Sequence, residues 1–162
     1  MAHLKKTKET KKLRVLFIER KNDFSSQLAE YYARSLFFDL YDAYSAGAER
    51  DIIDCDLLSV MYRRGEDLRS MVSKDLQDTK HLPADAVYDI VIWLDRSLFD
   101  DIGSESPWKG KQIIVDIGTR QGLEATDDAE LAQCMSDFAD KVRAWVEENM
   151  ADPEHLKSLV SA

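Results

Sequence analysis

Cysteine is scarce: Cys55 and Cys134 are the only two in 162 residues. They lie far apart, with neither C-x-x-C spacing nor histidine neighbours suited to a metal, which excludes a disulfide scaffold and a zinc site. Both are expected to be buried small side chains in a reducing compartment. Three prolines and six glycines are too few for a collagen-like or low-complexity chain. The longest apolar runs, such as residues 13–18 and 90–94, fall far short of the roughly 18 residues that a membrane span requires. No signal-peptide core follows the N-terminal lysines, so the expected location is cytoplasmic. His3, His81 and His155 are scattered among polar neighbours and suggest neither catalysis nor a metal.

What is present fits one globular domain, with 44% hydrophobic and 33% charged residues. Charge is uneven. Residues 1–12 hold five lysines and one glutamate, net +4, so the overall charge of −9 leaves −13 on residues 13–162. A body that acidic repels phosphate backbones and anionic lipid, which excludes nucleic acid and membrane surfaces as expected partners. Residues 1–12 read as a disordered basic leader, 13–149 as the folded domain and 150–162 as a C-terminal tail.

Leu13–Ile18 is a compact β-branched and aromatic run, suited to a strand covered on both faces. Ser25 and Ser26 are expected to cap a helix whose apolar positions Leu28, Tyr31, Tyr32, Leu36 and Leu40 share a face. A short strand over 42–45 and a helix capped by Asp51 or Asp54 and stopped at Gly65 follow. Residues 68–76 read as a further helical turn or two. Strands are expected over 87–94 and 111–117. Leu131, Cys134, Met135, Phe138, Val142, Trp145 and Val146 mark a long amphipathic helix. Alternating strands and helices predict a three-layer α/β/α sandwich around a parallel sheet of about four strands. Ligands bind such sheets at the carboxyl ends of strands, which directs attention to the turn at 19–26.

That turn carries a pattern. Val15–Glu30 reads V-L-F-I-E-R-K-N-D-F-S-S-Q-L-A-E, and Tyr44–Gly47 reads Y-S-A-G. Tyr88–Leu98 reads Y-D-I-V-I-W-L-D-R-S-L, and Trp108 precedes Asp116. In this order the segments resemble the low-molecular-weight protein tyrosine phosphatase superfamily, which includes the thioredoxin-coupled arsenate reductases. The family places C-x-x-N-x-x-R-S after its first strand and S-A-G after its second. The resemblance spans roughly residues 13–149 and implies the phosphotyrosine protein phosphatase I-like fold.

The resemblance implies a nucleophilic cysteine where this chain has Glu19, and a phosphate-gripping arginine where it has Ser25. A carboxylate is a poor nucleophile toward a phosphate ester and repels the dianion. Loss of the guanidinium removes bidentate stabilisation. The arsenate relay also lacks cysteines near the third strand. The family's general acid corresponds to Asp116, although Ile117 stands where a proline is usual; Asp95 reads as a structural loop residue. The loop residues Arg20, Lys21, Asn22, Asp23, Phe24, Ser25 and Ser26 are the expected ligand-binding segment. The resemblance assigns Asn22, Ser26 and Ser45 to a mutually hydrogen-bonded loop support.

The leading expectation is therefore a pseudophosphatase without cofactor or metal, binding a protein partner or small anion as monomer or homodimer. The Glu19 or Asp23 carboxylate would occupy the amide-rich nest itself, balanced by Arg20 and Lys21. The alternative is a divergent phosphohydrolase using the Glu19 and Asp116 carboxylates on water. A third reading is an assembly module, with Leu156, Leu159 and Val160 as an apolar stripe for a second subunit; a frayed terminus is the simpler expectation. Trp93, Trp108 and Trp145 are expected to serve packing rather than base stacking.

Overall fold

The computed structural model describes residues 11–161, so most of the expected leader lies outside the described residues. Its first strand, β1 (Leu13–Glu19), pairs in parallel with β2 (Tyr41–Gly47) on one side and β3 (Ile90–Trp93) on the other. Strand β4 (Gln112–Ile114) extends the sheet beyond β3, giving the order β2-β1-β3-β4. Because β1 is central, both of its faces must be apolar, and Val15 to Ile18 are fully buried.

Alternate residues go to different layers. Val15, Phe17, Ile90 and Ile92 point into a core shared with α1 (Ser25–Leu36), α2 (Cys55–Arg63) and α4 (Asp128–Met150). Leu16, Ile18, Val91 and Trp93 point the other way. There α3 (Arg96–Ile102) and irregular segments bring Leu98, Leu82, Tyr88 and Trp108 over the sheet. The three-layer α/β/α class holds, with a second helical layer thinner than the first. Trp93 is buried with its indole N–H on Gln112 Oε1 at 2.9 Å, Trp108 lies at the rim with its indole N–H on the Ala86 carbonyl at 3.2 Å, and Trp145 is half-buried against the main core.

Helix α4 is the main clamp. Asp127 accepts from the Glu130 amide at 2.8 Å to start it, and Met135, Phe138, Ala139, Val142, Val146 and Met150 recur on its buried face. Phe138 stacks on Phe24 with ring centroids 4.7 Å apart, tying the loop after β1 to the helix.

Several expectations change. Helix α1 ends at Leu36, not Leu40, because Phe37 to Leu40 turn back to deliver Tyr41 to the sheet. Strands β3 and β4 pair over fewer residues than their apolar runs suggest. An αL turn at Ala86 and the Asp89 carboxylate, which accepts from the Arg14 amide at 2.8 Å, delay the start of β3. Residues 68–76 form no helix; they run beside the end of β2, where the Gly47 amide donates to the Lys74 carbonyl and Leu76 to that of Gly47.

Cys55 is exposed and Cys134 half-exposed, since each falls beside rather than on its helix's apolar face. The C-terminal segment is neither frayed nor free for a second subunit. Asp152 caps α5 (Pro153–Ser158), Leu156 is fully buried, and the Ser161 amide donates to the Gln112 carbonyl at 3.1 Å. Leu159 and Val160 pack partly buried against the same core. Leu156→Ala is expected to cost about 2–5 kcal/mol in urea unfolding, the usual range for a buried leucine; a loosely attached tail would lose under about 0.5 kcal/mol.

Candidate functional site

Strand β1 has β2 on one side and β3 on the other, so the chain order reverses beside it, and the crevice at its carboxyl end is where such sheets hold ligands. The segment 20–24 turns tightly there before α1. Asn22 takes φ 51°, a left-handed conformation that asparagine tolerates better than most residues. Both of its polar atoms are engaged: Oδ1 accepts from the Lys74 amide and Gln27 Nε2, each at 2.9 Å, and Nδ2 donates to Ser26 Oγ at 2.8 Å. Gly47 lets the turn close on β2. A Cβ there would stand 2.8 Å from Arg20 O, Asn22 N and Glu49 O, all backbone atoms.

The centre of this turn is filled by Glu19. Its Oε1 accepts from the Phe24 and Ser26 amides, each at 2.8 Å, and from Ser26 Oγ at 2.5 Å. Its Oε2 accepts from Ser25 Oγ at 2.8 Å and the Ser25 amide at 3.2 Å. Five donors therefore converge on one carboxylate that is only 7% exposed. Phe24, at the N-cap of α1, offers no side-chain cap. Ser25 and Ser26, expected as caps, lie inside the first turn and donate to Glu19 instead. The free amides of a helix start, at the positive end of its dipole, attract an anion, and here the last residue of the preceding strand supplies it.

The expected support is divided. Asn22 and Ser26 bond to each other, whereas Ser45 donates to Glu30 Oε1 at 3.1 Å. The separation follows from Glu30, a buried carboxylate on α1 that needs partners and lies 3.6 Å from the buried Lys74 Nζ. Desolvation lowers the pKa of Lys74, while Glu30 opposes that shift. The expected balancing charges are also elsewhere: Arg20 pairs with Asp101 at 2.8 Å and Lys21 with Asp51 at 3.6 Å. Glu19 is held by neutral donors.

Outside the cradle lies a cleft of about 310 Å³, lined by Glu19, Arg20, Lys21, Asp23, Asp95, Ser97, Thr119, Arg120 and Gln121. Asp116 is exposed and does not line it. Asp95 does, while its Oδ1 caps α3 by accepting from the Leu98 amide at 3.1 Å. Arg120 was not anticipated from the sequence. Its Nε donates to Asp54 Oδ2 at 2.9 Å, and its guanidinium lies 3.7 Å from Asp56. The available signal was positional: residues 119–121 follow Gly118, at φ 109°, in the loop beyond the carboxyl end of β4. Among the described residues no cluster of three metal-ligating side chains occurs.

Asp23 differs from the other carboxylates at the cleft. Among the described residues its half-buried carboxylate has neither a cation partner nor a hydrogen bond from another residue, whereas Glu19 and Asp95 accept backbone amides. Burial first, and then the charges of Glu19, Asp51 and Asp54, push its pKa up to about 6.

The architecture is similar to that of solved structures. Wzb of Vibrio vulnificus in complex with benzylphosphonate superposes with a TM-score of 0.60 at 15% identity, over 84% of this chain and 98% of that one. YwlE arginine phosphatase from Geobacillus stearothermophilus gives 0.63 at 16% identity, over 90% and 96%. An arsenate reductase in the phosphate binding state gives 0.60 at 20% identity, over 92% and 99%. No protein-family model and no curated protein matches the chain.

A raised folded-state pKa means that the folded chain binds the Asp23 proton more tightly than the unfolded chain does. The associated stability is complete below about pH 4 and is lost as pH rises through about 6. Asp23→Asn should remove that dependence. With solvent screening of a half-buried group, a gain of about 1 kcal/mol at pH 7 is expected, vanishing near pH 4. Urea unfolding across this range checks it, and an equal effect at both ends would refute the assignment.

Proposed function

We propose that this chain, which has the fold of the low-molecular-weight tyrosine phosphatases and arsenate reductases, is a non-hydrolytic member of that structural group acting by binding. One observation carries the reading: the Glu19 carboxylate accepts all five converging donors at the start of α1. An incoming phosphate would have to displace an anion tethered within bonding distance, and tethering gives that internal competitor a high effective concentration. Three of the donors are main-chain amides, which cannot be withdrawn without undoing the turn.

The two departures from the family pattern act together. Glu19 brings a second oxygen where a thiolate would have one sulfur, and Ser25 supplies a hydroxyl to that oxygen where an arginine would reach for substrate. Removing the guanidinium therefore completes the cradle around the internal carboxylate. Covalent turnover through this loop would require Glu19 to attack phosphorus while holding these bonds. Its electron pairs point at N–H and O–H groups, and it lies beside Asp23, so a phosphate dianion would meet like charge on approach.

The reading that uses Glu19 and Asp116 on an activated water is less well supported. Asp116 does not line the cleft, and the cleft's cations are already engaged by Asp101, Asp51, Asp54 and Asp56. What the scaffold retains is a rigid mouth at the end of the sheet. Similar structures hold benzylphosphonate and phosphate, and in this chain we assign the equivalent role to the side chain of Glu19.

Glu19→Ala supplies the test. Leaving several buried donors unmet should cost about 3 kcal/mol, or roughly 6–12 °C in Tm for a chain of this size. Phosphate at ten times its dissociation constant should return about 1.4 kcal/mol to the variant while leaving the parent's Tm unchanged. Parent protein should also leave p-nitrophenyl phosphate intact with or without magnesium, manganese or zinc. Parent binding of phosphate at millimolar affinity, or parent turnover abolished by Glu19→Gln, would overturn the reading.

A further inference from the structure

Every cation at the cleft mouth has an acidic partner: Arg20 has Asp101, Lys21 has Asp51, and Arg120 has Asp54 with Asp56. The carboxylates are in excess. Asp23 lines the cleft half-buried with no cation partner among the described residues, and Asp95, which caps α3, shares the charge of Arg20 with Asp101. The scaffold's anion cradle thus opens, in this chain, onto a cleft whose unmet electrostatic demand is for positive charge.

A second feature adjoins it. Ile52 is 72% exposed and Val72 44% exposed, two of the few large apolar side chains left in solvent. They are not scattered. The Asp51 amide donates to Ser73 Oγ at 3.0 Å, and Ser73 Oγ donates to the Lys21 carbonyl at 2.8 Å. These bonds join residues adjacent to Ile52 and Val72 directly to the cleft rim. The Val72 carbonyl accepts from the buried Gln27 Nε2 at 3.0 Å, anchoring the same segment to α1. The platform is therefore held by the same braces that shape the loop, and little ordering cost would accompany binding to it.

Building on the reading that Glu19 fills the cradle, we propose that the cleft mouth, with Ile52 and Val72 beside it, docks a basic segment of a partner protein. An arginine or lysine enters the cleft to meet Asp23, and apolar neighbours of that residue cover Ile52 and Val72. Charge complementarity selects this occupant. An acidic peptide or a phosphate-bearing chain would meet Glu19, Asp23 and Asp95 together, whereas a cation relieves their mutual repulsion. The −13 charge of residues 13–162 would hasten the encounter at low salt. The apolar pair supplies the short-range contact that a long-range field lacks.

The probe is a synthetic peptide with arginine between two leucines, titrated into the isotopically labelled full chain and followed by amide chemical shifts. Two control peptides replace the arginine with citrulline, its neutral isostere, or with glutamate. Saturable shifts are expected at Asp23, Ile52, Val72 and Thr119, with a dissociation constant of about 1 mM or tighter. The citrulline peptide, and separately Asp23→Asn, should weaken binding about fivefold, and raising the salt from about 50 to 500 mM should weaken it further.

Ile52→Ser with Val72→Ser should weaken binding at least about threefold, and because both side chains are exposed the Tm should hold within about 2 °C. Equal binding of the glutamate peptide, shifts confined to another surface, or an unchanged spectrum at about 5 mM arginine peptide would overturn the proposal. Phosphate titrated into a separate sample reads the cradle independently. Shifts at the Phe24–Ser26 amides would count against the filled cradle, while the peptide results judge the docking surface.

Discussion

One carboxylate set against the exposed amides of a helix start organises this end of the molecule. An α-helix that begins abruptly after a strand leaves N–H groups without partners, and in a buried setting each must find an acceptor. Glu19 provides that acceptor from within the chain, at 7% exposure and with five donors. The bond set joins the last residue of the central strand to the first turn of α1, so the sheet and the helix that follows it are connected through the site itself. Anion binding and local folding are the same interaction here.

The surrounding turn is braced by residues far away in sequence. Asn22 is held by the Lys74 amide, Ser73 bonds to the Lys21 carbonyl, and Gly47 admits the turn against β2. Glu30 and Lys74 form a buried ion pair behind it, an arrangement that carries a desolvation cost and ties the 72–76 segment to α1. Phe24 stacking on Phe138 adds a link to α4. A turn supported on so many sides presents fixed dipoles, which is why a single side chain can fill it in one geometry.

The fold was largely legible because its signal is local and repetitive. The apolar run at 13–18, interrupted only by Arg14, announced a strand buried on both faces, and the 3–4 spacing along 135–146 announced a covering helix. The Glu19, Asn22 and Ser25 positions were visible because they depart from or retain an ordered motif. Other expectations failed for identifiable reasons. Periodicity cannot say whether a short apolar stretch packs as a helix or as an extended brace, and residues 68–76 took the second form. Ser45 was assigned to the loop support, but the nearer demand of the buried Glu30 claimed its hydroxyl. Arg20 and Lys21 sit next to Glu19 in sequence, yet their side chains lie on the rim and pair outward with Asp101 and Asp51.

By itself, the chain's order of residues determined the parallel α/β architecture, placed the candidate site after the first strand, and set an acid and a hydroxyl where the motif it resembles has a thiol and a guanidinium. Those properties follow from period, motif and side-chain chemistry, which neighbouring positions express without help. Only the tertiary structure decided that Glu19 rather than Asp23 takes the amides, that Asp23 has no cation partner among the described residues, that Arg120 lines the cleft, and that the segments carrying Ile52 and Val72 are braced to its rim at Lys21. Such outcomes depend on which donor or charge lies nearest in space, and folding sets those distances among residues tens of positions apart.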